Sequence, residues 1–109
     1  MKKLLFALLC FGYVHHLNAQ TCNTAYEPNG TLATAAAIST GITYSAAIGS
    51  SGDIDYYKIT TTGVNNIVYS LVGPAGVDFD LFVYNNAGTM LGSGLGATAT
   101  ETITLNNQA

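Results

Sequence analysis

Beyond residue 40, apolar and polar residues alternate with a period of two, the mark of strands that bury one face. Ile42, Tyr44, Ala46 and Ile48 alternate with Thr43, Ser45 and Ala47, predicting a strand over 42–48. After the loop Gly49-Ser50-Ser51-Gly52, Tyr57, Ile59 and Thr61 fall on one face and Tyr56, Lys58 and Thr60 on the other. Ile67 to Val72 is apolar on both faces, as a central strand is (Ile67, Tyr69 and Leu71 against Val68 and Val72). Phe79, Leu81 and Val83 then oppose Asp78, Asp80, Phe82 and Tyr84. A short strand starts at Thr89 to Leu91 and is interrupted by Gly92 to Gly96. In Thr98 to Leu105, four threonines alternate with Ala99, Glu101, Ile103 and Leu105.

Turn signals separate these runs at intervals of about ten residues: Glu27-Pro28-Asn29-Gly30, Gly63 to Asn66, Gly73-Pro74-Ala75-Gly76 and Asn85-Asn86-Ala87-Gly88. The alanine-rich stretch Thr31 to Ile38 is long enough for one or two helical turns, too few to stand unaided. About six short strands without a long helical period predict an all-β fold, an antiparallel β-sandwich. That number is one or two short of closing two sheets, and the expected last strand is missing at Asn106-Asn107-Gln108-Ala109.

The N-terminus has a different pattern. Lys2 and Lys3 precede an apolar run from Leu4 to Val14, and Leu17-Asn18-Ala19-Gln20 follows a polar break. A basic start, an apolar run well short of the ~20 residues that span a bilayer, and a small residue near the end make a secretory signal peptide. The expected division is a leader over 1–19, a linker segment over 20–30 and the sandwich over 31–109. The product is secreted or held at the cell surface, with no membrane span of its own.

Cleavage after Ala19 changes the charge. The whole chain carries −3; the mature part keeps Lys58 against Glu27, Asp53, Asp55, Asp78, Asp80 and Glu101, a formal −5. A surface this acidic cannot neutralise phosphates, so no nucleic-acid partner is expected, anionic membranes are poor partners, and cations are better ones. Both histidines, His15 and His16, leave with the leader, as does Cys10. Cys22 is then alone, either an inert thiol or half of an intermolecular disulfide.

Three features combine into a resemblance: Glu27-Pro28-Asn29 before an alanine-rich stretch, Asp53-Ile54-Asp55-Tyr56-Tyr57-Lys58-Ile59, and Val77-Asp78-Phe79-Asp80-Leu81-Phe82-Val83-Tyr84 before a turn. Together they resemble the bacterial pre-peptidase C-terminal (PPC) domain, a relative of collagenase collagen-binding domains, over roughly residues 25–109. The resemblance implies a jelly-roll-like sandwich without catalysis that accompanies a secreted peptidase or other hydrolase in targeting, substrate adhesion or maturation. The implied partners are an extracellular protein or polysaccharide polymer and a parent peptidase domain. In collagenase relatives the domain binds collagen and Ca²⁺. The family's closing strand, of a Gly-x-Tyr-Tyr type, would follow Ala109, so the chain is expected to be a fragment of a longer secreted protein or the product of a truncated reading frame. The alternative is a structural or adhesin module of a bacterial cell-surface protein.

Calcium is the ligand these residues argue for, because it takes six to eight oxygens in irregular geometry. Glu27 and Asn29 on the N-terminal segment, with Asp53 and Asp55 at a loop-to-strand junction, supply such a set if the segment packs across the loop. The resemblance points to Glu27, Asn29 and Asp55 in particular. The competing reading makes them solvated edge residues that discourage strand pairing. Asp78 and Asp80 form either a second cation site or bonds to turn amides.

Seven tyrosines without tryptophan offer an aromatic surface, with Tyr56 and Tyr84 as candidates for a binding face opposite the core; otherwise they are core and rim. Catalysis is not expected. The mature chain has no histidine to serve as a base, and Gly49-Ser50-Ser51-Gly52 lacks the strand-elbow-helix setting of a serine hydrolase. Gly92-Ser93-Gly94-Leu95-Gly96 has neither the helix nor the basic residue that phosphate binding needs. An open sheet edge beside the Thr98 to Leu105 strand is expected to invite self-association.

Overall fold

The computed structural model describes residues 25–108 and the backbone of residues 2–6. Cys10, His15, His16, the cleavage site at Ala19 and Cys22 lie outside the described residues. Seven strands and no helix make up what is described. They are β1 (Lys2–Phe6), β2 (Ala36–Ala37), β3 (Asp55–Ile59), β4 (Asn65–Val72), β5 (Leu81–Tyr84), β6 (Met90–Gly94) and β7 (Thr100–Gln108). One sheet has the order β2-β3-β1-β5-β6, and the other is the pair β4-β7. Every pairing is antiparallel except the short parallel contact of β2 with β3.

The two sheets stack as an antiparallel β-sandwich. Tyr57 and Ile59 on β3, and Leu81 and Val83 on β5, meet Ile67, Tyr69 and Leu71 on β4 and Ile103 on β7. Phe79, just before β5, fills the same core. Leu81 and Val83 are fully buried, each removal from water stabilising the fold by ~1.5–3 kcal/mol. On β3, β4 and β5 the buried positions are the alternate ones that the period-two pattern selects.

Several elements depart from the sequence expectation. Residues 42–48 form no strand, although Ile48 is fully buried and Tyr44 meets Tyr26 edge-on at 6.1 Å. The apolar row is covered only progressively from Tyr44 to Ile48, Ile42 being 60% exposed, and the Ser39 N–H donates to Tyr44 Oη at 3.0 Å. β4 is covered on one face only: Val68 and Val72 are 65% and 72% exposed. Its outward valines suit a pleated backbone rather than a second core. A groove of about 1000 Å³ separates β4 from the 38–46 segment.

β6 runs through Gly92 and Gly94 where an interruption was expected, because these positions must be bare. A Cβ on Gly92 would stand 2.8 Å from Ile103 Cγ2, and one on Gly94 2.5 Å from Glu101 Oε2. Thr31 to Thr34 is a turn rather than helix. Its two hydroxyls bond each other at 2.8 Å, and the Thr34 N–H donates to the Thr31 carbonyl. The hairpin between β5 and β6 follows its sequence signal, with Asn85 Oδ1 accepting from Ala87 N–H at 3.0 Å and Thr89 N–H at 2.9 Å.

The middle of the five-stranded sheet is held by Lys2–Phe6, residues that the sequence assigns to the leader. Leu4 is in register with Tyr57 on one side and Val83 on the other, and Leu5 with Tyr56 and Phe82.

Candidate metal centre

Two segments distant in sequence converge at the start of β3. The Asn29 carbonyl accepts from the Tyr56 N–H at 2.9 Å, which ties the N-terminal segment to the strand. The turn that delivers Asp53 is closed by its N–H to the Ser50 carbonyl at 3.2 Å, with Gly52 at φ 96°, where a side chain would be strained. Carboxylate oxygens of Glu27, Asp53 and Asp55 consequently lie within 4.8 Å of one another. Among the described residues, these are the acids that form such a cluster.

Each is held differently. Asp55 begins the buried row that continues as Tyr57 and Ile59, and it is 2% exposed. Tyr57 Oη donates to its Oδ2 at 3.3 Å. Asp53 Oδ2 accepts from the Gly49 N–H at 2.8 Å, and Glu27 Oε2 from the Asn29 N–H at 3.1 Å. The side chain of Asn29, fully buried, sits between the acids. With its nitrogen turned towards them it donates to Asp55 Oδ1 at 3.2 Å and to Glu27 Oε2 at 3.0 Å. With its oxygen turned that way it would offer a cation a fourth oxygen, so the one amide could serve the cluster with or without an ion.

Electrostatics make the cluster uneasy when it is fully ionised. Two carboxylates 4.8 Å apart repel by about 3–4 kcal/mol at an effective dielectric near 20. Burial first, then the charges of Asp53 and Glu27, push Asp55 up to about 6, and the bonds from Tyr57 and Asn29 only partly offset this. The Tyr57 hydroxyl is pushed up by burial and by the Asp55 charge, so it remains a donor. A proton or a cation relieves the repulsion, and the all-oxygen donor set is one that a hard cation such as Ca²⁺ prefers.

The four residues named from the sequence are thus brought together. Tyr57 and the Gly49 amide were missed, though Tyr57 follows Asp55 on the same alternating face. Asp78 and Asp80 are both exposed and belong to no such cluster. Tyr56 and Tyr84 are half-buried on the outer face of the five-stranded sheet but diagonal to one another, Tyr56 in register with Leu5 and Tyr84 with Lys3 of the strand between. Lys58 and Phe82 complete that face, and Phe82 stacks on Tyr84 at 6.5 Å. Phe82 was legible as the neighbour of Tyr84 in its row. Among the described residues no helix is long and apolar enough to cross a membrane. No family model, curated protein or solved structure matches the chain.

Proposed function

We infer that the chain is a secreted, non-catalytic accessory domain of the pre-peptidase C-terminal type, stabilised by Ca²⁺ and serving a secreted peptidase or hydrolase in targeting, substrate adhesion or maturation. The observation that carries this reading is the convergence of Glu27, Asp53 and Asp55 on a buried Asn29 at the point where the N-terminal segment meets β3. An ion there would fasten that segment to the sandwich. The outer face of Tyr56, Lys58, Phe82 and Tyr84 would then be left to contact an extracellular protein or polysaccharide. Stacked aromatics beside a lysine suit such a polymer.

The test is thermal unfolding of the exported protein in millimolar Ca²⁺ and in chelator. A site filled at a hundred times its dissociation constant adds ~2.7 kcal/mol, several degrees for a domain of this size. A shift that Asp55→Asn abolishes is the expected result. Equal melting in both conditions would reduce the acids to surface charges and remove the support for the family reading.

The second reading, a structural or adhesin module of a cell-surface protein, is favoured by the unpaired edge of β4 with its exposed Val68 and Val72, a surface on which repeats stack. The coding sequence beside the domain separates the two: a peptidase supports the first, further β-modules the second.

A further inference from the structure

The five-stranded sheet consists of two pieces joined by one strand. β3 has the two residues of β2 on its far side, extended by the Asn29 carbonyl and the Ile38 N–H, and β5 has β6. Between them β1 is antiparallel to both. At ~4.8 Å per strand spacing, β3 and β5 are the walls of a slot roughly 9–10 Å wide. Those walls carry Tyr57, Ile59, Leu81 and Val83, all 5% exposed or less, so the slot opens directly on the core. The sheet cannot leave it empty without wetting those side chains and orphaning two rows of backbone groups.

The segment found there is a partial match. Leu4 and Phe6 stand in register with Tyr57, Val83, Asp55 and Leu81, the alternation that the walls require. Lys2, however, is opposite Ile59, a buried position, and Lys3 is opposite Lys58. Like charges directly across a ladder are unfavourable, and a lysine suits a position beside the core poorly. Lys58 is the one basic residue beyond the leader, and nothing acidic faces it across this ladder. The same five residues belong to the segment whose pattern marks it for removal on export.

We propose that the slot between β3 and β5 is a strand-acceptor site for an extended segment of a partner polypeptide, with Lys2–Phe6 as its placeholder. The partner strand is apolar opposite Ile59, Tyr57 and Asp55 and acidic opposite Lys58. Recognition is by strand addition with two ladders instead of one. Main-chain bonds along β3 and β5 supply affinity, and the apolar row with the Lys58 pairing supplies selectivity. The row shares Asp55 and Tyr57 with the candidate metal centre, but the ladder itself needs no ion.

The experiment uses the full chain carrying Leu4→Pro, since proline at the centre of a doubly paired strand removes a ladder bond and unseats it. Two synthetic peptides serve as probes: residues 1–8 as they stand, and the same peptide with Lys2→Val and Lys3→Glu. Both are expected to bind one to one, the second at least about tenfold more tightly, and to restore slowed amide exchange along β3 and β5. The unsubstituted chain binds each peptide more weakly because its own strand competes.

If the Leu4→Pro chain does not fold alone, the acidic peptide is expected to restore a cooperative melt. A folded variant that binds neither peptide, an unfolded one that neither rescues, or a preference for the lysine peptide would overturn the proposal. So would a dimer exchanging Lys2–Phe6 between copies, which assigns the slot to a second copy, and so would a secreted chain whose mass retains residues 2–6, which makes the placeholder permanent.

Discussion

Asp55, buried among carboxylates, is expected to couple the stability of the molecule to pH and, in the function proposed above, to Ca²⁺. Its carboxyl ionises near 3.8 when unhindered and near 6 in the fold, so between those values the native state holds more protons than the unfolded chain. In chelator, stability is therefore expected to fall as pH rises from about 4 to about 6 and to level off above, a loss of at most about 3 kcal/mol. With saturating Ca²⁺ the trend reverses over the same window, because the ion competes with the proton; melting curves at pH 4.5 and 7 in each condition check the sign. Asp55→Asn should melt at least as high as the parent in chelator at pH 7, since it removes the repulsion and keeps an acceptor for Tyr57, yet show no response to Ca²⁺. A second residue prediction concerns Tyr69, whose buried hydroxyl has no hydrogen-bond partner among the described residues. Tyr69→Phe is expected to stabilise by about 1 kcal/mol, read as a raised melting temperature. Of this chemistry the sequence showed the ligand types and their spacing. That Asp55 is the buried member was also legible, since it heads the row of Tyr57 and Ile59. The Asn29 amide between the acids was not, because its place depends on a contact between segments that no local pattern encodes.

At the scale of elements, alternation told which side chains are covered but not which backbones pair. For β3 and β5 the two coincide. For 42–48 they do not, since Ile48 is buried in a segment that forms no strand, and on β4 Val68 and Val72 gave an apolar face that stays exposed among the described residues. Glycine misled in the opposite direction. Gly92 and Gly94 looked like a break, yet they are strand positions emptied for Ile103 and Glu101 on β7. The cost of filling them checks this: Gly92→Ala and Gly94→Ala should each destabilise by ~1–3 kcal/mol in denaturant titration, against the small effect of alanine at an open loop position. Gly73→Ala should cost more, because a Cβ there would overlap the Phe79 ring within the core. Val68→Lys, on the exposed face of β4, should leave the melting temperature within the equivalent of ~0.5 kcal/mol while slowing heat aggregation, since a charge on an unpaired edge strand opposes edge-to-edge pairing.

For the whole molecule, the sandwich class was legible because every strand that builds the core carries its own period-two signature. What local pattern could not convey was the order of strands, above all that the first residues of the chain complete the sheet. Lys2–Phe6 pairs with residues 55–59 and again with 81–84, so no nascent chain shorter than about 84 residues contains all three strands. Synthesis at ~5–20 residues per second puts on the order of 4–15 s between the appearance of Phe6 and that of Leu81. Until then the N-terminus has no complete seat, and any factor that recognises it has that interval to do so; afterwards the same residues are enclosed by the sheet. Strand order thus works as a clock, leaving the N-terminus readable early in the life of the chain and hidden late.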